Sequence, residues 1–347
     1  MARSPFPVPY GWFCIGWSED VAVGETKPLQ YFGQHIVLWR DEEGASHVQD
    51  AFCPHLGAHL GHGGKVLGCE IACPFHGWRF DEDGNNTLIP YSSRTNAKGK
   101  VKTYPSVEVN GLIFAWYHPD HVEPMWEVPV VPEFNDPDNF TEPVHRIFQV
   151  AAPWQELAEN GVDAAHFRYV HNTEEVPELV EYTTTGPIAN MKSKQLFPTP
   201  RGVVEGYINS DSFGPGLSVV HFGGIIDTVL MGTNVPVDEN HCEMRFTFTV
   251  RKLGDDAALN SSVGAAFVDE VTRQVREDKP IWENKAFVPR PALADTDGPF
   301  TKFRRWASQF YTTPVEAPLD FYPPDGSYPA EELGKSASQK YGSAPIA

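Results

Sequence analysis

Four side chains in two short segments constrain this chain more than anything else in its sequence. They are Cys53 and His55 in Cys-Pro-His, then, seventeen residues on, Cys73 and His76 in Cys-Pro-Phe-His. Two thiols and two imidazoles at C-x-H-x17-C-x2-H predict two neighbouring hairpin tips whose donors converge. A lone histidine in either segment would read as a buried, hydrogen-bonded core residue. Four donors at this spacing read as a metal site. Zinc takes such a set tetrahedrally. A [2Fe–2S] cluster takes it with one iron on the cysteines and one on the histidines, which raises the reduction potential.

The other cysteines, Cys14, Cys69 and Cys242, make an odd and scattered total of five. That is poor material for a disulfide framework. Cys69, His59 and His62 lie near the four donors but outside their pattern, and Cys69 reads as a small packing residue. A net charge of −19 excludes nucleic acid as a partner, since phosphates would be repelled. No apolar run reaches the roughly 20 residues of a membrane span. The N-terminus shows no apolar h-region, so a cytoplasmic protein is expected.

The 347 residues suffice for two domains. Residues 1–120 read as all-β. Gln34–Trp39, Glu70–Cys73 and Gly111–Tyr117 are rich in β-branched and aromatic residues, and Gly, Asp and Asn punctuate them. Residues 121–143 read as a Pro- and acid-rich linker, 144–312 as a second domain, and 313–347 as a tail rich in Pro, Gly, Ser and Ala. Within the second domain Trp154–Val170 has helical periodicity. Gly202–Ile208, Leu217–Phe222 and His241–Val250 fit an antiparallel sheet. Ser262–Lys285 reads as a long helix that Pro280 should bend or divide.

A second pattern opens that domain: Asn160-Gly-Val-Asp163-Ala-Ala-His166-Phe-Arg-Tyr-Val-His171. His166 and His171 are more than a helical turn apart. They converge on one ion only if the helix ends or loosens near Tyr169-Val170. Two histidines and a carboxylate leave coordination positions open, as in non-haem Fe(II) oxygenases. One turn before His166, Asp163 is placed to bond its ring N–H and fix its tautomer. A carboxylate ligand must come from later in the chain, where Asp269, Glu270, Glu277, Asp278 and Glu283 are the candidates. Read alone, the pattern equally describes surface or capping histidines and a solvated acid.

The first motif, with Gly57 after one half and Gly77-Trp78 after the other, closely resembles the Rieske family. The second resembles the catalytic helix of Rieske non-haem iron oxygenases. Gly11–Gly16, Ile71–Asp81, Ile89–Tyr91, Asn110–Trp116 and Asp297–Trp306 with Gln309–Tyr311 look most like the 3-ketosteroid 9α-hydroxylase and cholesterol 7-desaturase branch. The resemblance implies an α+β chain. A Rieske [2Fe–2S] β-domain precedes a helix-grip (START-like) catalytic domain with an antiparallel sheet and a long helix. It implies Cys53, His55, Cys73 and His76 on the cluster, and His166, His171 and Asp278 on a mononuclear Fe(II). Glu277 is the lesser alternative to Asp278. Asp163 becomes the acid bridging a cluster histidine and an iron-bound one, and Asn160 lines the same face.

The resemblance further implies a terminal oxygenase that hydroxylates a hydrophobic steroid or sterol with O₂. Its electrons come from a ferredoxin or flavin reductase, since the chain has no Gly-rich dinucleotide fingerprint. The active assembly is expected to be a homotrimer. Phe213, Leu217, Val219, Phe222, Ile225, Trp282 and Phe287 are candidates for the substrate pocket. Two alternatives remain open at this point: the same chemistry on a small aromatic compound, and a non-catalytic Rieske electron carrier.

Overall fold

The computed structural model describes residues 5–199, 202–224, 226–254 and 257–312, so the expected tail 313–347 lies outside the described residues. The chain forms two compact units. One comprises Trp12–Val130 with Val235–Asp238. The other comprises Val131–Asn234 with the chain from Glu239 onward and the N-terminal residues to Gly11.

The first unit is built from short strands: β1 (Gly11–Trp17), β2 (Thr26–Tyr31), β3 (Gln34–Arg40), β4 (Ser46–Asp50), β5 (Lys65–Leu67), β6 (Glu70–Ala72), β7 (Arg79–Phe80), β8 (Asn86–Leu88), β9 (Thr103–Tyr104), β10 (Ser106–Val109) and β11 (Leu112–Tyr117). They form three sheets, ordered β1-β11-β10, β2-β3-β4-β9 and β5-β6-β7-β8. Every residue of β11 is buried, as expected of a continuous apolar run in a sandwich interior. The β5–β8 sheet packs Val66, Ile71 and Phe80 against Val37, Trp39 and Leu60. That core also buries Cys53 and Cys73, so the tips carrying them are anchored rather than free loops.

The second unit contains β12 (Val144–Val150), α1 (Trp154–Glu159), α2 (Ala165–Tyr169), β13 (Glu178–Thr185), β14 (Ile188–Thr199), β15 (Gly202–Phe213), β16 (Leu217–Gly223), β17 (Thr228–Asp238), β18 (His241–Val250), α3 (Ala257–Trp282) and α4 (Phe300–Ser308). Its seven strands form one sheet, β12-β18-β17-β16-β15-β14-β13. Helix α3 lays Val268 and Val271 on Leu230, Phe246 and Phe248 of that sheet. It begins earlier than the periodicity predicts and runs through Pro280 to Trp282. Proline removes one N–H and clashes with the preceding turn, but so near the C-terminus few helical bonds are at stake.

The expected helix over Trp154–Val170 is broken instead. Helix α1 ends at Glu159, a 3₁₀ turn covers Asn160–Val162, and Asp163 is extended at φ −93°, ψ 95° before α2 starts. Helix α4 fastens this stretch. Buried Arg304 pairs with buried Glu159, Tyr311 Oη bonds Gln155, and Trp154 Nε1 donates to the Pro215 carbonyl. Among the described residues no helix is long and apolar enough to cross a membrane.

Candidate metal centres

The two cysteine tips repeat one backbone design. Cys53 N–H donates to the Ala58 carbonyl while Gly57 N–H returns to Cys53 O. Likewise Cys73 N–H donates to Trp78 O and Gly77 N–H returns to Cys73 O. Gly57 and Gly77 close these turns at φ +77° and +70°, where a Cβ would be strained. The amides that donate to the Cys53 sulfur are those of His55 and Leu56, so the glycine supplies the turn and its neighbours supply the donors.

Sulfur faces sulfur and ring faces ring. Burial, together with the adjacent Cys73 sulfur, pushes the Cys53 thiol up to about 11. The His55 and His76 rings lie 4.7 Å apart, and His55 stacks on Trp78 at 4.6 Å. Among the described residues, buried His55 Nδ1 has no hydrogen-bond partner. An orphaned ring nitrogen and two facing, buried thiols fit a metal group that would satisfy the one and neutralise the other. Among the described residues the one set of three or more donors that gathers its atoms to within 4.8 Å of one another is a different one.

That other set is His166, His171 and Asp278. Helix α2 stops at Tyr169, and Val170 N–H bonds back to His166 O at 2.7 Å, so the chain turns and brings the two imidazoles to 5.0 Å. Asp278 projects from the last turns of α3 and is 6% exposed. Its Oδ2 lies 3.3 Å from His171 Nε2. Burial holds His166 below the usual histidine range, partly offset by the Asp278 carboxylate. For His171 burial acts the same way, but the bonds to Asp278 and Glu277 outweigh it and its pKa is raised. A bound cation takes the place of that proton.

The expected contact between the Asp163 carboxylate and the His166 ring is not formed. The ring Nδ1 bonds the Asp163 backbone carbonyl, and the carboxylate Oδ1 instead accepts the His166 backbone N–H at 3.3 Å. The extended conformation of Asp163 turns its carbonyl under the ring. Asn160 Nδ2 lies 3.3 Å from His166 Nε2, the ring nitrogen not bonded to the Asp163 carbonyl. Of the remaining candidate acids, Asp269 on α3 pairs with Arg146 and Glu270 with Arg273, while Glu283, one residue past the helix end, pairs with Lys279. Glu277 is not a member of the triad. It holds the other nitrogen of His171.

Gly298 keeps this region in place by close approach. A Cβ on it would lie 1.8 Å from the Val162 carbonyl oxygen, one residue before Asp163. Gly298→Ala is therefore expected to lower the melting temperature, at a cost of about 1–3 kcal/mol, and to weaken metal retention. Thermal melts and iron analysis check both.

The triad lines a cavity of about 250 Å³. The sheet forms its wall in cross-strand rows: Met191, Ser210, Val220 and Leu230 in one, Ser193, Ile208 and Phe222 in the next. Phe222 and Trp282 are where the sequence placed them, but Phe213, Leu217, Val219 and Phe287 do not line the cavity, and Ile225 lies outside the described residues. Strand parity explains two of these: on β16 Ser218, Val220 and Phe222 face the cavity, so Leu217 and Val219 face away. The same parity finds lining residues that sequence reasoning missed, Ser193, Gln195 and Ser210. Asn234 also lines it, with a buried Oδ1 that has no partner among the described residues. None of the triad residues lines the two larger hollows, of about 550 and 810 Å³.

Comparison with known proteins gives the chain a family. The Rieske [2Fe-2S] domain family matches residues 11–105, and the 3-Ketosteroid 9alpha-hydroxylase C-terminal domain family matches residues 115–311. The chain belongs to the Rieske non-haem iron oxygenases, in the branch whose catalytic domain is that of the 3-ketosteroid 9α-hydroxylases. It is thus a monooxygenase whose cofactors are a Rieske [2Fe–2S] cluster and a mononuclear iron.

The oxygenase component of a 3-ketosteroid-9-alpha-monooxygenase from Rhodococcus rhodochrous is 33% identical over 317 residues, covering 87% of this chain and 83% of the relative. Cholesterol 7-desaturase nvd 1 from Ciona intestinalis is 32% identical over 88% of this chain and 69% of its own. The crystal structure of dicamba monooxygenase bound to dicamba superposes with a TM-score of 0.72 at 20% identity, over 87% of this chain and 97% of that one. That last likeness concerns the fold.

Proposed function

We propose that this oxygenase hydroxylates a steroid or sterol, using O₂ and electrons from a ferredoxin or a flavin reductase. Cys53, His55, Cys73 and His76 hold the cluster, and His166, His171 and Asp278 hold the iron. When bound, the cluster supplies electrons one at a time and the iron activates dioxygen. The observation that carries this reading is the cavity. Its walls are largely apolar, and it opens directly on the triad.

The chain's own residues do the rest. Leu230, Phe246, Val271 and Trp282 exclude water and fix a rigid hydrophobe by shape. Asn234, with an unsatisfied buried amide oxygen, offers a polar contact to a substrate that has few polar atoms. His166 and His171 each have Nδ1 engaged, which leaves Nε2 for the metal. Relatives named for ketosteroids and cholesterol favour a steroid.

The volume favours a second reading. About 250 Å³ lies just below the usual range of ligand pockets, and a small aromatic would fill it. Oxygen uptake and product mass, followed together with a surrogate ferredoxin and reductase, decide between them. Steroids and sterols are expected to couple uptake to a product 16 mass units heavier, a single added oxygen. Coupled turnover of small aromatics and of no steroid would overturn the proposal.

A further inference from the structure

His171 is gripped at both ring nitrogens by consecutive residues of one helix. Nε2 lies 3.3 Å from Asp278 Oδ2, and Nδ1 lies 3.0 Å from Glu277 Oε2. The imidazole is 2% exposed, while Glu277 is 31% exposed and reaches it from the outer side. Glu277 is itself clamped. Its Oε1 accepts from Arg273 Nη1, one turn earlier. The guanidinium is fixed in turn by Glu270, through Nε at 2.9 Å and Nη2 at 2.6 Å. Gln274 Nε2 adds a bond to Glu270 at 3.0 Å. A chain of four side chains, Glu270, Arg273, Glu277 and His171, therefore ends on a ring whose other nitrogen faces the triad.

We propose that Glu277 is the positioning residue of the mononuclear site, setting the tautomer, orientation and donor strength of His171. This rests on the reading that His166, His171 and Asp278 bind the iron. With Nδ1–H donated to Glu277, the lone pair is left on Nε2. A carboxylate acceptor makes the imidazole a stronger donor than a neutral acceptor does. The two histidines are consequently unequal. His166 gives its Nδ1–H to a neutral backbone carbonyl, His171 to a carboxylate held rigid by an arginine. Arg273 keeps Glu277 from rotating out to solvent, which its partial exposure would otherwise allow.

The test strips the mononuclear site of iron, leaves the cluster in place, and titrates Fe(II) back. Glu277→Ala is expected to weaken Fe(II) binding by about 10–100-fold, with the visible absorption of the cluster unchanged. Glu277→Gln, which still accepts the His171 N–H but carries no charge, should fall between wild type and Glu277→Ala. Co(II) bound in place of iron gives a readout that lost stability alone would not move: its visible bands should shift in both variants. Wild-type Fe(II) affinity and Co(II) bands in Glu277→Ala overturn the proposal, whatever the melting temperature. If that variant does not fold, Glu277→Gln decides, and wild-type affinity and bands in it overturn the proposal equally. His171→Ala is the control for the underlying reading. If it binds Fe(II) as wild type does, the triad assignment fails rather than the role of Glu277.

Discussion

Asp278→Ala is expected to yield a folded protein that keeps its cluster, loses its mononuclear iron and has no measurable oxygenase activity. Asp278 supplies the only carboxylate of the triad, and it is nearly buried. Without it two neutral imidazoles face the metal, with no charge to offset a divalent cation in a low-dielectric site. Loss of a partner beyond the ligands typically costs 10–100-fold in affinity, and loss of the charged ligand itself should exceed that. Iron should fall from about three to about two per chain, while the cluster spectrum stays intact. Asp278→Asn separates charge from shape, since the amide keeps the volume. Full iron content in either variant would refute the assignment and return the search to the other acids of α3. The iron count also disposes of the electron-carrier alternative, which requires about two in the wild type.

The two halves of this picture were unequally legible in the sequence. The cluster tips are local: each places its donors within a few residues of one turn, so spacing alone announced them. The triad is not. Glu277 and His171 are 106 residues apart, and Asp278 is one position further on. Periodicity offered five acids on the late helix and no ground for choosing among them, and resemblance chose Asp278. What separates Asp278 from Glu277 is rotation about the helix axis, roughly a hundred degrees per residue. That rotation turns one carboxylate toward Nε2 and the other toward Nδ1. The hint that Glu277 had a specific role was Arg273 at i−4, a pairing that also occurs on solvated helix faces. The cavity was legible only in Phe222 and Trp282, and the other candidates missed for a different reason. Apolar residues on β16 looked alike in composition, and only strand parity separates Phe222 from Val219. The break at Asp163 was hidden because Leu157, Val162 and Ala165 keep helical spacing across it.

Asp163→Ala is expected to abolish turnover while leaving both metal centres occupied. The local geometry makes this a clean experiment. The His166 ring is held by the Asp163 backbone carbonyl, which the substitution retains, so the tautomer and the iron site should survive. The carboxylate contributes only one bond here, Oδ1 to the His166 backbone N–H, and its Oδ2 takes no hydrogen bond from the described residues. In the bridging role that the family resemblance implies, that second oxygen meets a cluster histidine, and the electron passes through Asp163 toward His166. Removing it should leave the cluster reducible by its donor at the normal rate. The cluster should then stay reduced in the presence of substrate and O₂, because its electron has no route onward. Absorption of the cluster, followed after mixing reduced protein with oxygenated substrate, reads this directly. Asp163→Asn keeps the shape without the charge and should restore at most part of the reoxidation rate. Normal reoxidation with near-normal turnover in Asp163→Ala would sink the bridging role. Loss of iron along with activity would instead make Asp163 a structural support for His166.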